Sequence, residues 1–195
     1  AERWVPEHHG LPSPHPRLPL RRYFFFPGFV AGTGGVLRET GLPAGCAAGG
    51  TAGRDALWAA TGFAPAPAQA TVVSLFSYAH APLDALLDAW AQSGTPLVAA
   101  VAPGPAAAAA LAFLGERAPA QGRVLRRGSL EVRMLPFVEQ PRYDALLRAC
   151  DCNFVRGEDS FVRAQWALRP FVWHIYPQQD GAHWRKLEAF LDLYC

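Results

Sequence analysis

Residues 151–178 read DCNFVRGEDSFVRAQWALRPFVWHIYPQ, and this stretch decides the fold. An apolar run over Cys152–Val155 predicts a buried strand, and Asp159–Leu168 has the spacing of a helix. A second apolar run over Pro170–Tyr176 predicts another strand, so the stretch reads as one right-handed βαβ unit. Between the first strand and the helix stands RGEDS at 156–160, with four polar or charged residues around one glycine.

The same alternation extends from this stretch back to residue 71 and on to the end of the chain. Further strands are predicted at Thr71–Tyr78, Pro96–Val101 and Ser129–Leu135. Further helices are predicted at Pro82–Gln92, Pro105–Arg117, Pro141–Ala149 and Asp180–Tyr194. Strands that alternate with helices of this length indicate an α/β fold, a Rossmann-like parallel sheet covered by helices on both faces.

The first 70 residues have a different composition, rich in proline and glycine. The aromatic run Tyr23–Phe26 predicts a buried strand, and Arg54–Thr61 predicts one short helix. Gly62–Ala70, with the sequence GFAPAPAQA, is typical of an extended linker. The glycines at 32–35 match neither a Walker loop nor a GxGxxG turn after a strand, so they are a weak nucleotide signal.

Composition excludes several classes of protein. The chain has 195 residues, a formal charge of +2 and 51% hydrophobic residues, an ordinary globular balance. A dedicated nucleic-acid binder is usually strongly basic, and a membrane helix needs roughly 20 apolar residues, so we expect neither nucleic acid nor membrane as a partner. The four cysteines show no zinc-ligand spacing, and we expect reduced structural thiols in a cytoplasmic protein. Cys150 and Cys152 are expected on the same side of a strand.

Ligands of such sheets bind outside the carboxyl ends of the strands. The candidate site residues are therefore those that follow the strands: Phe76, Ser77 and Tyr78, then Phe137 to Gln140, Arg156 to Ser160, and Tyr176 to Asp180. A helix N-terminus binds anions through its free N–H groups, Gly157 permits close backbone approach, and Arg156 can grip a diphosphate. Asp159 or Ser160 can cap the helix, and Ser160 can also reach a phosphate oxygen.

Each of these features also has a purely structural interpretation. The helix dipole alone favours acidic residues in a first turn, and Arg–Glu pairs are common on surfaces. Phe76 and Tyr78 share a face of a strand, which is more often core than a stacking platform. Gln140 is either a solvated loop residue or a reader of a pyrimidine imide edge. His174 is more often a satisfied core histidine than a catalytic one.

Several segments resemble the bacterial elongation factor P arginine rhamnosyltransferases: HGLPSPHPRLPL, YFFFPGF, TGGVLRE, SLFSY and the long stretch 151–178. The resemblance covers nearly the whole chain. It implies a GT-B glycosyltransferase with two Rossmann-like domains facing a cleft. Such an enzyme transfers rhamnose from dTDP-β-L-rhamnose to one arginine of elongation factor P, with inversion, and no metal ion or other cofactor is expected.

The resemblance also implies roles for individual residues. Phe76, Tyr78 and Phe137 would line the thymine and sugar pocket, and Gln140 would read the thymine edge. The diphosphate and its surroundings would be held by Arg156, Gly157, Asp159, Ser160 and Tyr176. Glu158 would lie near the rhamnose and contribute to catalysis or to donor positioning.

One departure from the family is large. Met134 is the only methionine, and the aspartates expected to act as general base and to orient the acceptor fall outside the chain. We therefore expect a fragment: residues 1–40 a remnant of the acceptor-side domain, 41–70 a linker, and 71–195 the donor-binding domain. Such a fragment is expected to bind the donor but not to turn over.

Two alternatives stay open at this stage. One is a GT-B transferase that uses another nucleotide sugar or acceptor. The other is a non-catalytic module that binds elongation factor P or nucleotide sugars. A dinucleotide-dependent dehydrogenase is poorly supported, because GxGxxG does not follow the first strand.

Overall fold

The computed structural model describes residues 5–36, 38, 51–117 and 121–194. In chain order the elements are α1 (Val5–His8), β1 (Pro12–Pro14), β2 (Arg21–Tyr23), α2 (Thr51–Thr61), β3 (Thr71–Leu75), α3 (Leu83–Gln92), β4 (Leu97–Val101), α4 (Pro105–Phe113), β5 (Val124–Arg127), β6 (Leu130–Met134), α5 (Gln140–Ala149), β7 (Cys152–Arg156), α6 (Asp159–Ala167), β8 (Phe171–His174) and α7 (Ala182–Tyr194).

The chain forms two compact units, one of residues 43–176 and one that joins residues 1–42 with 177–195. The two units divide the chain after residues 42 and 176, whereas the predicted domain limits lie near residues 40 and 70. The roles assigned to the three predicted segments stay predictions.

The larger unit is built on a six-stranded sheet with the order β5-β6-β4-β3-β7-β8. The predicted α/β fold is confirmed, because β3, β4, β6, β7 and β8 pair in parallel. β5 was not predicted and pairs antiparallel with β6 at the sheet edge. Its sequence, VLRR, is short and lacks the alternation of apolar and polar residues that marks a strand.

Helices cover both faces of this sheet, as predicted. Val73 and Leu75 point to one face and pack in a cluster with Leu87 of α3 and Ala110 of α4. Val72 points to the opposite face, in a cluster that includes buried side chains of α2 and α5. Both faces of the central strands are therefore dry, which explains their continuous apolar sequence.

The segment predicted as an extended linker packs against the sheet. Phe63 is buried in the same cluster as Trp58 of α2. The guanidinium carbon of Arg133, on β6, lies 4.3 Å from the Trp58 ring centroid, and its Nη1 donates to the Ala64 carbonyl at 2.6 Å. Burial of the apolar surface of Trp58 and Phe63 thus holds residues 62–70 against the sheet. The proline–alanine composition of the segment gave no sign of this packing.

The cysteines also differ from the expectation. Cys150 lies at the end of α5, before β7 begins, and it is buried on the α2–α5 face. Cys152 packs on the other face. Both thiols are free, and burial raises the pKa of each of them. Cys46 and Cys195 lie outside the described residues.

In the smaller unit, β1 and β2 form an antiparallel ribbon. The prediction of a buried strand at Tyr23–Phe26 is wrong, because β2 ends at Tyr23 and that side chain is 65% exposed. A two-stranded ribbon has no second layer of its own to bury an aromatic run. The α7 helix belongs to the same unit, and the ring centroid of its Phe190 lies 5.8 Å from that of Phe29.

Buried polar contacts fix the pairing of β3 with β7. The Ser74 hydroxyl donates to Asn153 Oδ1 at 2.6 Å, and Asn153 Nδ2 donates to the Leu147 carbonyl at 2.9 Å. At the start of the strands, Asp151 Oδ2 accepts the Val72 N–H at 2.8 Å and Oδ1 accepts Arg54 Nη2 at 2.6 Å. Asn153 is 0% exposed, so both of its partners would be left unsatisfied without it.

We predict that Asn153→Ala lowers the free energy of unfolding by about 2–4 kcal/mol, because it strands two buried polar groups and leaves a void. Urea denaturation measures the loss. Gln121→Ala, which truncates an exposed amide of the same unit, should stay within about 0.5 kcal/mol of the wild type. Equal effects of the two substitutions would show that the buried network does not hold the strands.

Candidate functional site

The candidate site lies where the strand order reverses. β3 is flanked by β4 on one side and by β7 on the other, and in open α/β sheets the crevice outside such a reversal receives the ligand. β3 ends at Leu75, so Phe76–Tyr78, predicted as the end of a strand, form a loop instead. The Phe76 N–H still donates to the Phe154 carbonyl at 3.0 Å, which keeps this loop beside the end of β7.

Arg156, the last residue of β7, is held between two aromatic rings. Its guanidinium carbon lies 4.2 Å from the Phe76 ring centroid and 4.9 Å from that of Tyr78. Its Nη1 donates to the Ser77 carbonyl at 3.2 Å. Within the described ranges no carboxylate forms an ion pair with it. A fixed guanidinium without a counter-charge is a binding group for an anion.

The turn after Arg156 is shaped by Gly157 and Ser160. Gly157 has φ +65° and its carbonyl accepts Trp173 Nε1 at 2.8 Å. The Ser160 hydroxyl accepts the Arg156 N–H at 3.0 Å and donates to the Arg156 carbonyl. Ser160 is buried and its hydroxyl closes the turn, so the structure uses it to shape the loop; its predicted contact with phosphate stays a prediction.

The start of α6 carries two exposed carboxylates. Glu158 stands at the cap position, and no side chain there hydrogen-bonds to the helix, so the expected cap by Asp159 or Ser160 is not formed. Asp159 Oδ2 accepts Arg163 Nε at 3.4 Å, and Arg163 also binds Asp144 of α5 at 2.9 Å. The Glu158 carbonyl accepts the Val162 N–H at 3.0 Å, but its carboxylate forms no hydrogen bond or ion pair with any described residue. Its carboxylate is therefore available to a ligand.

Tyr78 is the centre of an aromatic cluster. Its ring centroid lies 5.5 Å from that of Tyr176, 5.2 Å from that of His174 and 5.6 Å from that of His80, which it stacks upon. Burial raises the pKa of the Tyr78 hydroxyl. The charge of Arg156 opposes this shift, whereas Glu158 and Tyr176 add to it. Tyr78 is thus a neutral hydrogen-bond donor at neutral pH.

Gln140 and Phe137 lie toward the neighbouring strand, β6. Gln140 is the first residue of α5, one turn before Tyr143, whose ring lies 6.1 Å from that of Phe76. Residues three apart share a helix face, so Gln140 stands on the same face of α5 as Tyr143. Phe137 is 83% exposed and makes no ring contact with the described part of the cluster. The structure thus brings Phe76, Ser77 and Tyr78 against Arg156, and Tyr176 against Tyr78; the roles of Gln140 and Phe137 stay predictions.

Sequence reasoning missed His80 and underrated His174. A single histidine in the segment AHAP carries no signal of its own. His174 was expected to be a satisfied core histidine, and both of its ring nitrogens are indeed engaged. It is nevertheless only half-buried, and its contacts are with the loop that carries Tyr78. Only the parallel pairing of β7 with β8 brings it there.

Metal ions and membranes find no matching feature in the described ranges. No group of three or more His, Cys, Asp or Glu side chains there is placed to hold a metal ion. No described helix is both long and apolar enough to span a bilayer. The expectation of metal-independent chemistry stays a prediction.

The model of the family "Elongation-Factor P (EF-P) rhamnosyltransferase EarP" matches residues 1–195. The protein-arginine rhamnosyltransferase of Pseudomonas putida is 49% identical over 197 residues, which cover 100% of this chain and 52% of that protein. The corresponding values for Pseudomonas aeruginosa are 42% identity over 202 residues, 100% of this chain and 52% of the relative. The chain therefore spans about half the length of the curated relatives it matches.

A solved structure is similar to this chain in both sequence and fold. It concerns EarP-mediated arginine glycosylation of translation elongation factor EF-P, and it is 42% identical in sequence with a TM-score of 0.74. The match covers 88% of this chain and 54% of the other. The similarity thus extends from sequence to fold.

We predict that Gly157→Ala both destabilises the protein and weakens anion binding. Its φ of +65° is unfavourable for alanine, at a cost of about 1–2 kcal/mol, and the new Cβ would lie 3.2 Å from the Tyr78 hydroxyl. Urea denaturation measures the first effect, and calorimetric titration with inorganic pyrophosphate measures the second.

Gly115→Ala is the matched control, because Gly115 has φ +75° and no atom of the described residues other than its chain neighbours lies within 4 Å of its Cβ position. It should lose similar stability with pyrophosphate affinity unchanged. If both variants bind pyrophosphate as the wild type does, the turn at Gly157 is not part of an anion site.

Proposed function

The chain belongs to the elongation factor P rhamnosyltransferase family, and we propose that residues 43–176 bind the donor of a protein-arginine rhamnosyltransferase. The proposed donor is dTDP-β-L-rhamnose, and the proposed acceptor is an arginine of elongation factor P. The family match over residues 1–195 and the relatives named protein-arginine rhamnosyltransferase support this reading. In these terms the larger unit is the Rossmann-like donor domain of a GT-B transferase.

The observation that carries the proposal is the unpaired charge of Arg156 at the strand-order reversal. Its guanidinium is fixed by two rings and by the Ser77 carbonyl. The N-terminus of α6 begins three residues later and adds its partial positive charge. Together these groups suit the diphosphate of a nucleotide sugar.

The same groups suit the chemistry of transfer. The bond between C1 of rhamnose and the diphosphate oxygen breaks, and its electron pair stays on dTDP. The acceptor nitrogen forms a new bond to C1 from the opposite face and gives up a proton. Arg156 and the helix terminus would stabilise the negative charge that develops on dTDP. We propose on this ground that the transfer is metal-independent.

The thymine and sugar would meet the exposed rings of the site. Tyr176 and Phe137 are 59% and 83% exposed, and an exposed ring face can stack on a base. The carboxamide of Gln140 both donates and accepts hydrogen bonds, as the imide edge of thymine requires. Phe76 and Tyr78 would form the wall between base and diphosphate.

Glu158 is the proposed catalytic carboxylate of this chain. Arginine is a poor nucleophile because its guanidinium stays protonated at neutral pH, and carboxylates must orient it and receive its proton. Glu158 is exposed and lies two residues after Arg156, and its carboxylate forms no hydrogen bond or ion pair with a described residue. The proposed acceptor is a translation factor, so we place the protein in the cytoplasm.

Arg156→Ala is expected to lower the affinities for dTDP-β-L-rhamnose and for dTDP about equally, by tenfold or more. The reason is that a charge-assisted hydrogen bond contributes about 1.5–3 kcal/mol. Calorimetric titration measures both affinities. Arg117→Ala removes an exposed arginine beyond α4 and should leave them unchanged. Wild-type affinity for dTDP in Arg156→Ala would remove Arg156 from the site.

In a full-length protein that contains this chain, Glu158→Gln is expected to abolish rhamnose transfer to elongation factor P while changing dTDP affinity and unfolding free energy little. The amide keeps the shape of the side chain but carries no negative charge beside the rhamnose and the reacting centre. Mass spectrometry of the acceptor measures transfer. Asp84→Asn, the same change in the first turn of α3, should transfer normally; an active Glu158→Gln variant would end the catalytic role.

A further inference from the structure

His174 and His80 form a hydrogen-bonded pair beside the proposed donor site. The Tyr78 N–H donates to His174 Nδ1 at 3.2 Å. The Nε2 atoms of the two imidazoles lie 2.9 Å apart. His80 also stacks on the Tyr78 ring, at 11° between the ring planes. The chain of contacts therefore runs from the backbone of Tyr78 through His174 to His80 and back to the Tyr78 ring.

This chain of contacts fixes the protons on both rings. A backbone N–H can only donate, so His174 Nδ1 must carry a lone pair. In a neutral ring the proton of His174 then sits on Nε2 and is donated to Nε2 of His80. The remaining proton of His80 sits on Nδ1. A proton added to His174 would go to Nδ1, where it would face the Tyr78 N–H and break that hydrogen bond.

We propose that His174 is a positioning residue of the donor site, which holds residues 76–80 so that Tyr78 covers Arg156. This inference rests on the proposed function. Tyr78 contacts both Arg156 and Tyr176: its ring centroid lies 4.9 Å from the Arg156 guanidinium carbon and 5.5 Å from the Tyr176 ring centroid. Its loop has left the sheet, and the bond to His174 anchors the backbone of Tyr78 itself to β8.

The surroundings of His174 favour its neutral form. It faces His80 and Tyr78 from the loop after β3, and Arg156 from β7; Tyr176 follows it on its own segment. Burial lowers the pKa of His174, and the neighbouring His80 and Arg156 lower it further. The anchor is therefore complete at neutral pH and is lost only in acid, below the ordinary value of about 6.5.

Two substitutions separate positioning from bulk packing. His174→Asn keeps an acceptor oxygen near the Nδ1 position, whereas His174→Leu keeps apolar volume and removes the acceptor. Calorimetric titration with dTDP-β-L-rhamnose should show affinity about tenfold weaker in the leucine variant and within about threefold of the wild type in the asparagine variant. Urea denaturation checks that each variant is folded.

The pH profile supplies a readout that packing alone would not change. Wild-type affinity for dTDP-β-L-rhamnose should stay constant near neutral pH and fall in acid, below the ordinary histidine value of about 6.5, as His174 takes up a proton. The asparagine variant cannot titrate at this position and should lose that dependence. The sugar diphosphate has no secondary phosphate group that titrates in this range, which is why it replaces dTDP here.

The outcomes are distinct. Equal affinity of wild type and folded His174→Leu, or wild-type affinity that rises in acid through attraction of the diphosphate, would overturn the positioning role alone. A wild type that binds no dTDP-β-L-rhamnose at any pH would overturn the proposed function on which it rests. Should the leucine variant not fold, the pH profiles of wild type and His174→Asn decide: parallel profiles contradict the role.

Discussion

The pairing of β3 with β7 is the constraint on which the rest of the site depends. Asp151 binds the backbone at the start of the two strands, and Asn153 joins Ser74 in their buried middle. With this register fixed, the Phe76 N–H donates to the Phe154 carbonyl of β7. Arg156, at the end of β7, then lies against the loop that follows β3. A slip of one residue would turn Arg156 to the other face of the sheet.

The position of Arg156 then determines the electrostatics. Other arginines of the unit are paired with carboxylates: Arg163 with Asp144, and Arg133 with Glu131. Arg156 instead has rings and a carbonyl as neighbours, and Glu158 beyond it is exposed. The site thus holds one fixed positive charge and one exposed negative charge two residues apart, an arrangement that suits the transfer proposed above.

Much of the larger unit could be predicted from sequence, because its parallel strands are buried on both faces and therefore appear as apolar runs. β5 could not, since two of its four residues are arginines and three of the four are exposed. The site residues could be located only as positions after strands. That the Ser160 hydroxyl turns inward, that β3 stops before Phe76, and that His80 meets His174 are consequences of tertiary pairing, which local sequence does not encode.

The most direct test is a crystal structure of the protein with dTDP. The account predicts that the diphosphate lies within hydrogen-bond distance of the Arg156 guanidinium and the first N–H groups of α6, with thymine against an exposed ring of Tyr176 or Phe137. A diphosphate bound elsewhere, with Arg156 still enclosed by Phe76 and Tyr78 and in contact with no ligand, would contradict it.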